Sequence, residues 1–304
     1  MLAASAGMAG VREEPARRST SPKRSGAVRN RARYTSGRVQ HLLGRALTLV
    51  LALLTAAPFL WMLSGSFKTA LDVYSINLWP GHPTVSSYAW VLTHVPFWRY
   101  ILNTFVVAAA VTIIALLFHA MAGYSLARLN FPGRDKLFIF IYTTLLVSLP
   151  TILVPLYLVV RFLGMLNSYE GLIVPSVFNA FGIFLLRQFY VTLPKELEDA
   201  AEVDGCGYWG RFWHVGLPLA RPLLLALSVF FFLANWNSFM WPLVSTTSEN
   251  LWMLQEGIAS FTGEYGSAWN EILAASTIAA IPTIALFALF QRQIVSSLKT
   301  SGIK

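Results

Sequence analysis

Six stretches of this chain are long and apolar enough to cross a bilayer as helices, and no other feature constrains the fold as tightly: Ala46–Leu63, Ile101–Ser125, Leu137–Arg161, Leu172–Tyr190, Leu219–Val244 and Ile272–Val295. A helix rises about 1.5 Å per residue, so about 20 residues cross a hydrocarbon core near 30 Å thick. Residues are 56% hydrophobic and 12% charged, whereas soluble domains are about a quarter charged. In lipid every backbone group must pair within its own segment, which makes runs of this length helices. The expectation is an all-α, polytopic membrane protein with six transmembrane helices. Pro175, Asn179 and Gly182 interrupt the fourth run and weaken it.

The flanks set the organisation. Residues 1–45 are rich in Lys and Arg, carry only Glu13 and Glu14 as acids, and hold many Ser, Ala and Gly. They read as a disordered basic tail that hugs lipid and sets topology rather than binding nucleic acid. The apolar run after it exceeds the roughly 7–15 residues of a signal core, so it is expected to remain as the first helix. The six-helix domain would occupy residues 46–297, and 298–304 would form a short tail. Six crossings put both termini on one side. Of the 23 Lys and Arg, all but Lys68, Arg99 and Arg161 fall on that side. The positive-inside rule makes it the cytoplasm.

Between the fourth and fifth runs lies the acidic, Gly-punctuated segment 194–222. Glu196, Glu198, Asp199, Glu202 and Asp204 face a single Lys195 in a chain of formal charge +9. Pro194 and the early carboxylates suit the first turn of a helix, where the dipole favours negative charge, and Gly205 suits its end. Leu197, Ala200, Ala201 and Asp204 follow helical spacing, so a partner can approach the small Ala face closely.

The pattern Asp199-Ala200-Ala201, three residues, Gly205, nine residues, Val215, one residue, Leu217-Pro218 resembles the signature loop of the membrane subunits of binding-protein-dependent ABC importers. That family usually shows Glu-Ala-Ala and Ile where this chain has Asp199 and Val215. Phe212, Pro222, Ser66-Phe67-Lys68, Asn103-Thr104, Ala127-Arg128, Phe131-Pro132-Gly133, Trp236-Asn237 and Trp241-Pro242-Leu243 are similar to landmarks of the smaller, maltose-type permease of carbohydrate importers. The resemblance implies the type I ABC importer permease fold in a plasma (inner) membrane. It implies an ATPase-coupling loop of Glu198, Asp199, Ala200, Ala201, Asp204, Gly205, Phe212, Leu217, Pro218 and Pro222. It also implies a second homologous permease, two ATPase subunits, an extracytoplasmic solute-binding protein and a sugar substrate, with ATP and Mg on the ATPase.

Chemistry beyond transport finds no residues. No GxxxxGK[ST] loop is present to cradle a nucleotide, and no metal-ligand cluster or nucleophile–base set can be assembled. Cys206, the single cysteine, can form no internal disulfide. The expectation is a non-enzymatic subunit that binds no cofactor itself. No carboxylate lies mid-run, which argues against an ion-coupled carrier; a permease of the same superfamily for an amino acid, peptide or phosphate ester is the other alternative. The polar residues within the runs are Asn103, His119, Ser148, Thr151, Asn179, Asn235, Asn237 and Ser238. Asn235, Asn237 and Ser238 are candidates for a substrate path, although each by itself suits helix–helix hydrogen bonding better than a ligand contact. Trp79, Trp90, Trp98, Trp252 and Trp269 suit the membrane boundary. The segment from Thr246 to Trp269 carries Glu249, Glu256 and Glu264 without Lys or Arg. It reads as solvated and adaptable, and the resemblance implies that it reaches toward the binding protein.

Overall fold

The computed structural model describes residues 26–262 and 268–301, with side chains over 44–262 and 268–291. In chain order the helices are α1 (Gly26–Gly65), α2 (Ser86–Thr93), α3 (Phe97–Arg128), α4 (Arg134–Thr143), α5 (Leu149–Phe162), α6 (Tyr169–Val177) and α7 (Ala180–Thr192). They continue as α8 (Glu196–Val203), α9 (Tyr208–Arg211), α10 (Leu217–Leu219), α11 (Arg221–Trp236), α12 (Met240–Ser245), α13 (Leu254–Ser260) and α14 (Trp269–Ser301). No strand occurs among the described residues. The chain divides at Pro58, inside α1, into compact units 1–58 and 59–304.

Both terminal boundaries differ from the sequence expectation. Helix α1 begins at Gly26, inside the segment expected to be disordered, because its Arg, Ala and Leu are strong helix formers and the backbone ladder continues upstream of the apolar run. Residues 1–25 lie outside the described residues. Helix α14 extends to Ser301, so most of the expected tail 298–304 is helix.

In the second unit α3 is the central element, packed against α7, α11, α6 and α13. Three buried clusters follow one another along it. Phe97 and Tyr100 gather Val91, Trp236, Leu254, Phe261 and Ala275. Val107 and Val111 meet Val160, Leu172, Trp241 and Met253. Ala120 and Tyr124 meet Leu186, Tyr190, Phe212 and Phe231. Lipid tails are as apolar as leucine, so close backbone approach holds such helices together. At Gly123 a Cβ would sit 2.9 Å from the Arg187 backbone nitrogen of α7, so only glycine allows this crossing.

Among the described residues, α1 (from Gly44), α3 and α14 (to Gln291) are the only continuous apolar spans. The third run, expected as a single crossing, is two helices bent by 108° between Leu146 and Leu149. Pro150 occupies the first turn of α5, where its missing N–H costs nothing; carried within a continuing helix it would clash with the preceding turn. The fourth run bends by 41° between α6 and α7. There Asn179 caps α7, its Oδ1 accepting from the Phe181 and Gly182 amides at 3.0 and 3.4 Å. The His119 ring accepts the Asn179 N–H at 3.1 Å and packs edge-on against Phe231, so His119 stabilises the break as a packing residue. The fifth run joins the acidic segment to α11 through a 73° bend at Ala220, with Pro222 in the first turn of α11.

At the end of the unit away from α8, the loops are tied down. The buried Lys68 ammonium donates to the carbonyls of Ser75 and Asn77 at 3.2 and 2.5 Å. Asn103 donates to the carbonyls of Asn250 and Trp252 at 2.9 and 3.0 Å and accepts the Tyr169 hydroxyl at 2.7 Å. The segment after Thr246 is therefore not a solvated, adaptable loop. Met253, Leu254, Gly257, Ile258 and Phe261 are buried, because Leu254, Ile258 and Phe261 recur at helical spacing and turn α13 onto α3. Even Glu256 is buried. Glu264 and the glycines beside it lie outside the described residues.

Candidate functional site

Helix α8 has no buried residue, yet its two faces are unlike. Glu198 and Ala201, three residues apart, are its half-buried pair; Leu197, Asp199, Ala200, Val203 and Asp204 are exposed, Val203 by 88%. The small-residue face expected from the sequence is thus split: Ala200 points outward with Leu197 and Asp204, and Ala201 turns in beside Glu198. Pro194 precedes the helix instead of opening it, since the first turn begins at Glu196 after Lys195. Glu196, Glu198 and Asp199 occupy that first turn, where the exposed amides favour negative charge.

Asp204 is the C-cap and Gly205 follows it with φ of +83°. The Cys206 N–H donates to the Ala201 carbonyl at 2.9 Å and the Gly205 N–H to that of Glu202 at 3.0 Å. These are the two bonds of a Schellman termination, which needs a left-handed residue where Gly205 stands. The turn leads into α9 and a π-helical turn over Phe212–Gly216. Phe212 is buried, its ring 5.4 Å from that of Tyr124, which lies 5.3 Å from that of Tyr190. Leu217 and Pro218 open α10, both half-buried, and Pro222 is exposed.

Two ion pairs hold α8. Arg128 Nε and Glu198 Oε1 lie 3.1 Å apart with side chains 7% and 12% exposed; the N–H is not aimed at the oxygen, so this is a contact of charges. Arg211 meets Glu202 at 2.8 Å, where the carboxylate is 64% exposed, and its guanidinium lies over the Tyr208 ring at 4.6 Å. The sequence marks Arg211 as one of the basic residues that set topology and Arg128 as both such a residue and, with Ala127, a family landmark; it assigns neither a partner.

The candidate substrate-path residues occupy a different place, the break between α11 and α12. Asn235 is half-buried and its amide donates to the Phe231 carbonyl of its own helix at 2.8 Å. Asn237 is exposed just past the end of α11, and Ser238 is half-buried beside it. Gln255 of α13 extends its amide to Asn237 Oδ1 at 3.5 Å. Asn237, Ser238 and Gln255 thus form an uncharged donor and acceptor group, and the last was absent from the sequence expectation. The acidic loop and this break lie at opposite ends of α11. No group of His, Cys, Asp or Glu with metal-site geometry occurs among the described residues.

The family model described as binding-protein-dependent transport system inner membrane component matches residues 119–300. The chain is 30% identical over 84% of its length to the arabinooligosaccharides transport system permease protein of Halalkalibacterium halodurans, covering 93% of that protein. It is 32% identical over 88% of its length to the diacetylchitobiose uptake system permease protein of Streptomyces coelicolor, covering 90%. The sulfoquinovosyl glycerol transport system permease protein of Agrobacterium fabrum is 31% identical over 89% of this chain and 95% of its own length. Among solved structures, a bacterial ABC transporter involved in import of the acidic polysaccharide alginate matches with a TM-score of 0.76 at 24% identity, over 84% of this chain and 97% of that one.

Proposed function

This chain belongs to the family of binding-protein-dependent transport system inner membrane components, and on that premise we propose that it is the permease subunit of an ATP-driven importer moving a sugar or related polyol by alternating access. The observation that carries the reading is the two-faced α8. Its outward face offers Leu197, Asp199, Ala200, Val203 and Asp204 to a partner, and its inward face is fastened to the transmembrane bundle by charge. A rigid, capped helix presented in this way is a lever for an ATPase subunit, which supplies the ATP and Mg chemistry. Glu198 serves the inward attachment instead of the docking face; Phe212, Leu217, Pro218 and Pro222 shape the return into α11.

The Lys and Arg bias of the sequence supports a cytoplasmic placement for that loop and for both termini. The opposite end would then meet a solute-binding protein, and a second homologous permease would complete the pathway. Helix α4 has no buried residue, and Leu145, Leu146, Val147 and Leu149 at the bend are exposed, which suits a lateral partner or lipid. The uncharged Asn237, Ser238 and Gln255 suit hydroxyl-rich solutes, which need paired donors and acceptors and no countercharge. The relatives whose names specify oligosaccharide or glycoside solutes support the same class.

The test is reconstitution of the chain with its second permease and ATPase in proteoliposomes. Sugar uptake should require ATP and Mg inside and loaded binding protein outside, and mass spectrometry of the binding protein's ligand identifies the solute. Uptake driven by an ion gradient without ATP would refute the importer reading.

A further inference from the structure

We propose that Arg128 is the positioning residue through which movement of α8 reaches the membrane-spanning helices, a role that rests on the importer reading and assigns its transmission step. The guanidinium joins three elements. It is the last residue of α3, where the helix dipole favours a cation. Its Nη2 donates to the carbonyl of Leu193, the residue that ends α7, at 2.5 Å. Its Nε faces Glu198 of α8 at 3.1 Å.

Apolar packing does not hold α8, because none of its residues is buried and only Glu198 and Ala201 turn inward. The second ion pair, Arg211 with Glu202, has a largely exposed carboxylate and is screened by water and salt. It also ties α8 only to α9, its neighbour in the chain. The covalent path from α8 onward is compliant: it passes a left-handed glycine, the π-helical turn at Phe212–Gly216 and the 73° bend at Ala220 before it reaches α11. The path through Arg128 is one side chain long and nearly dry, and it ends on α3 and α7 together, which are packed to one another along the bundle. A partner that displaces α8 therefore moves the ends of α3 and α7 as one body. Lysine cannot replace the arginine fully, since a single ammonium cannot place one nitrogen on the Leu193 carbonyl and a second beside Glu198, as Nη2 and Nε do.

The experiment uses the reconstituted complex with the double variant Arg128→Met, Glu198→Leu, which leaves no unpaired charge, and spin labels at the exposed Thr192 and Val203. The ATPase should still copurify and hydrolyse ATP, while sugar moved per ATP falls tenfold or more. The Thr192–Val203 distance, constant through the nucleotide cycle in the wild type, should become nucleotide-dependent. Arg128→Lys should fall between the two. If the double variant does not insert, Glu198→Gln, of equal size, carries the same readouts. Unchanged sugar per ATP, or loss of the ATPase from the variant complex, would overturn the role. A wild-type preparation that binds no ATPase would instead refute the importer reading, before any variant is made.

Discussion

Replacing Gly205 isolates one backbone conformation and asks how much function hangs on it. With φ at +83° and no atom within 4 Å of a built Cβ, a side chain at this position meets open space, so the penalty is purely torsional. A left-handed residue with a Cβ costs about 1–2 kcal/mol, and more when β-branched, whereas Asn visits this region readily. That cost falls on the two terminating bonds of α8, at 2.9 and 3.0 Å, in a helix too short to persist on its own. The Ala variant should therefore expose the amides at 205 and 206 to hydrogen exchange roughly 5–30-fold more often, with Val worse and Asn close to wild type. Coupled uptake should fall in the order Gly, Asn, Ala, Val while membrane insertion stays constant. A Val variant that exchanges and transports as the wild type does would refute the reasoning.

Glu256 offers a pH test. Burial holds its carboxyl above the ordinary value, partly opposed by hydrogen bonds from Thr246 and the Met253 amide. Thr246 has one hydroxyl proton, yet its oxygen stands 2.9 Å from the Pro242 carbonyl and 2.9 and 3.0 Å from the two carboxyl oxygens. A neutral Glu256 donating to Thr246, which donates onward to Pro242, satisfies the set. The folded state then binds this proton more tightly than the unfolded state, so the contribution is full below the ordinary carboxyl value and lost as pH rises through the folded one. Glu256→Gln, which reproduces the neutral pattern, should flatten thermal stability against pH above the ordinary carboxyl value; an unchanged slope would show that Glu256 is ionised throughout. Asn103→Leu strands the Asn250 and Trp252 carbonyls and the Tyr169 hydroxyl and should cost about 2–4 kcal/mol, read as a lower unfolding midpoint in detergent; an unmoved midpoint would remove Asn103 from the clamp. Cys206, half-exposed, should react with an impermeant maleimide in inverted vesicles and not in intact cells, and labelling of intact cells would reverse the topology.

The sequence showed most clearly what one segment decides alone. Apolar length marked the spans, Asn179 and Pro175 marked the broken fourth run, and Gly205 marked a turn that needs a left-handed residue. The break at Ser148 was hidden because apolar residues surround it on both sides, and Pro150 suits a helix start as well as a kink. Glu249, Glu256 and Glu264 made the segment after Thr246 look wet, yet Leu254, Ile258 and Phe261 already carried the helical spacing that buries α13. The joint between Arg128 and Glu198 could not be read from either residue, since it exists only once α3, α7 and α8 converge. Asn103 reads as a neutral intramembrane polar group, and its three partners emerge only when Tyr169 of α6 and the chain from Asn250 to Trp252 both come to α3.

The outward face of α8 is the central claim, and site-directed crosslinking reads it directly. In a Cys206→Ser background, single cysteines at Ala200 and Ala201 differ by one residue, about 100° around the helix, which takes the first outward and the second into half-burial beside Glu198. In the assembled complex a short bifunctional reagent at Ala200→Cys should capture the ATPase subunit, and the same reagent at Ala201→Cys should not. Capture from both positions alike, or from Ala201 alone, would contradict the account.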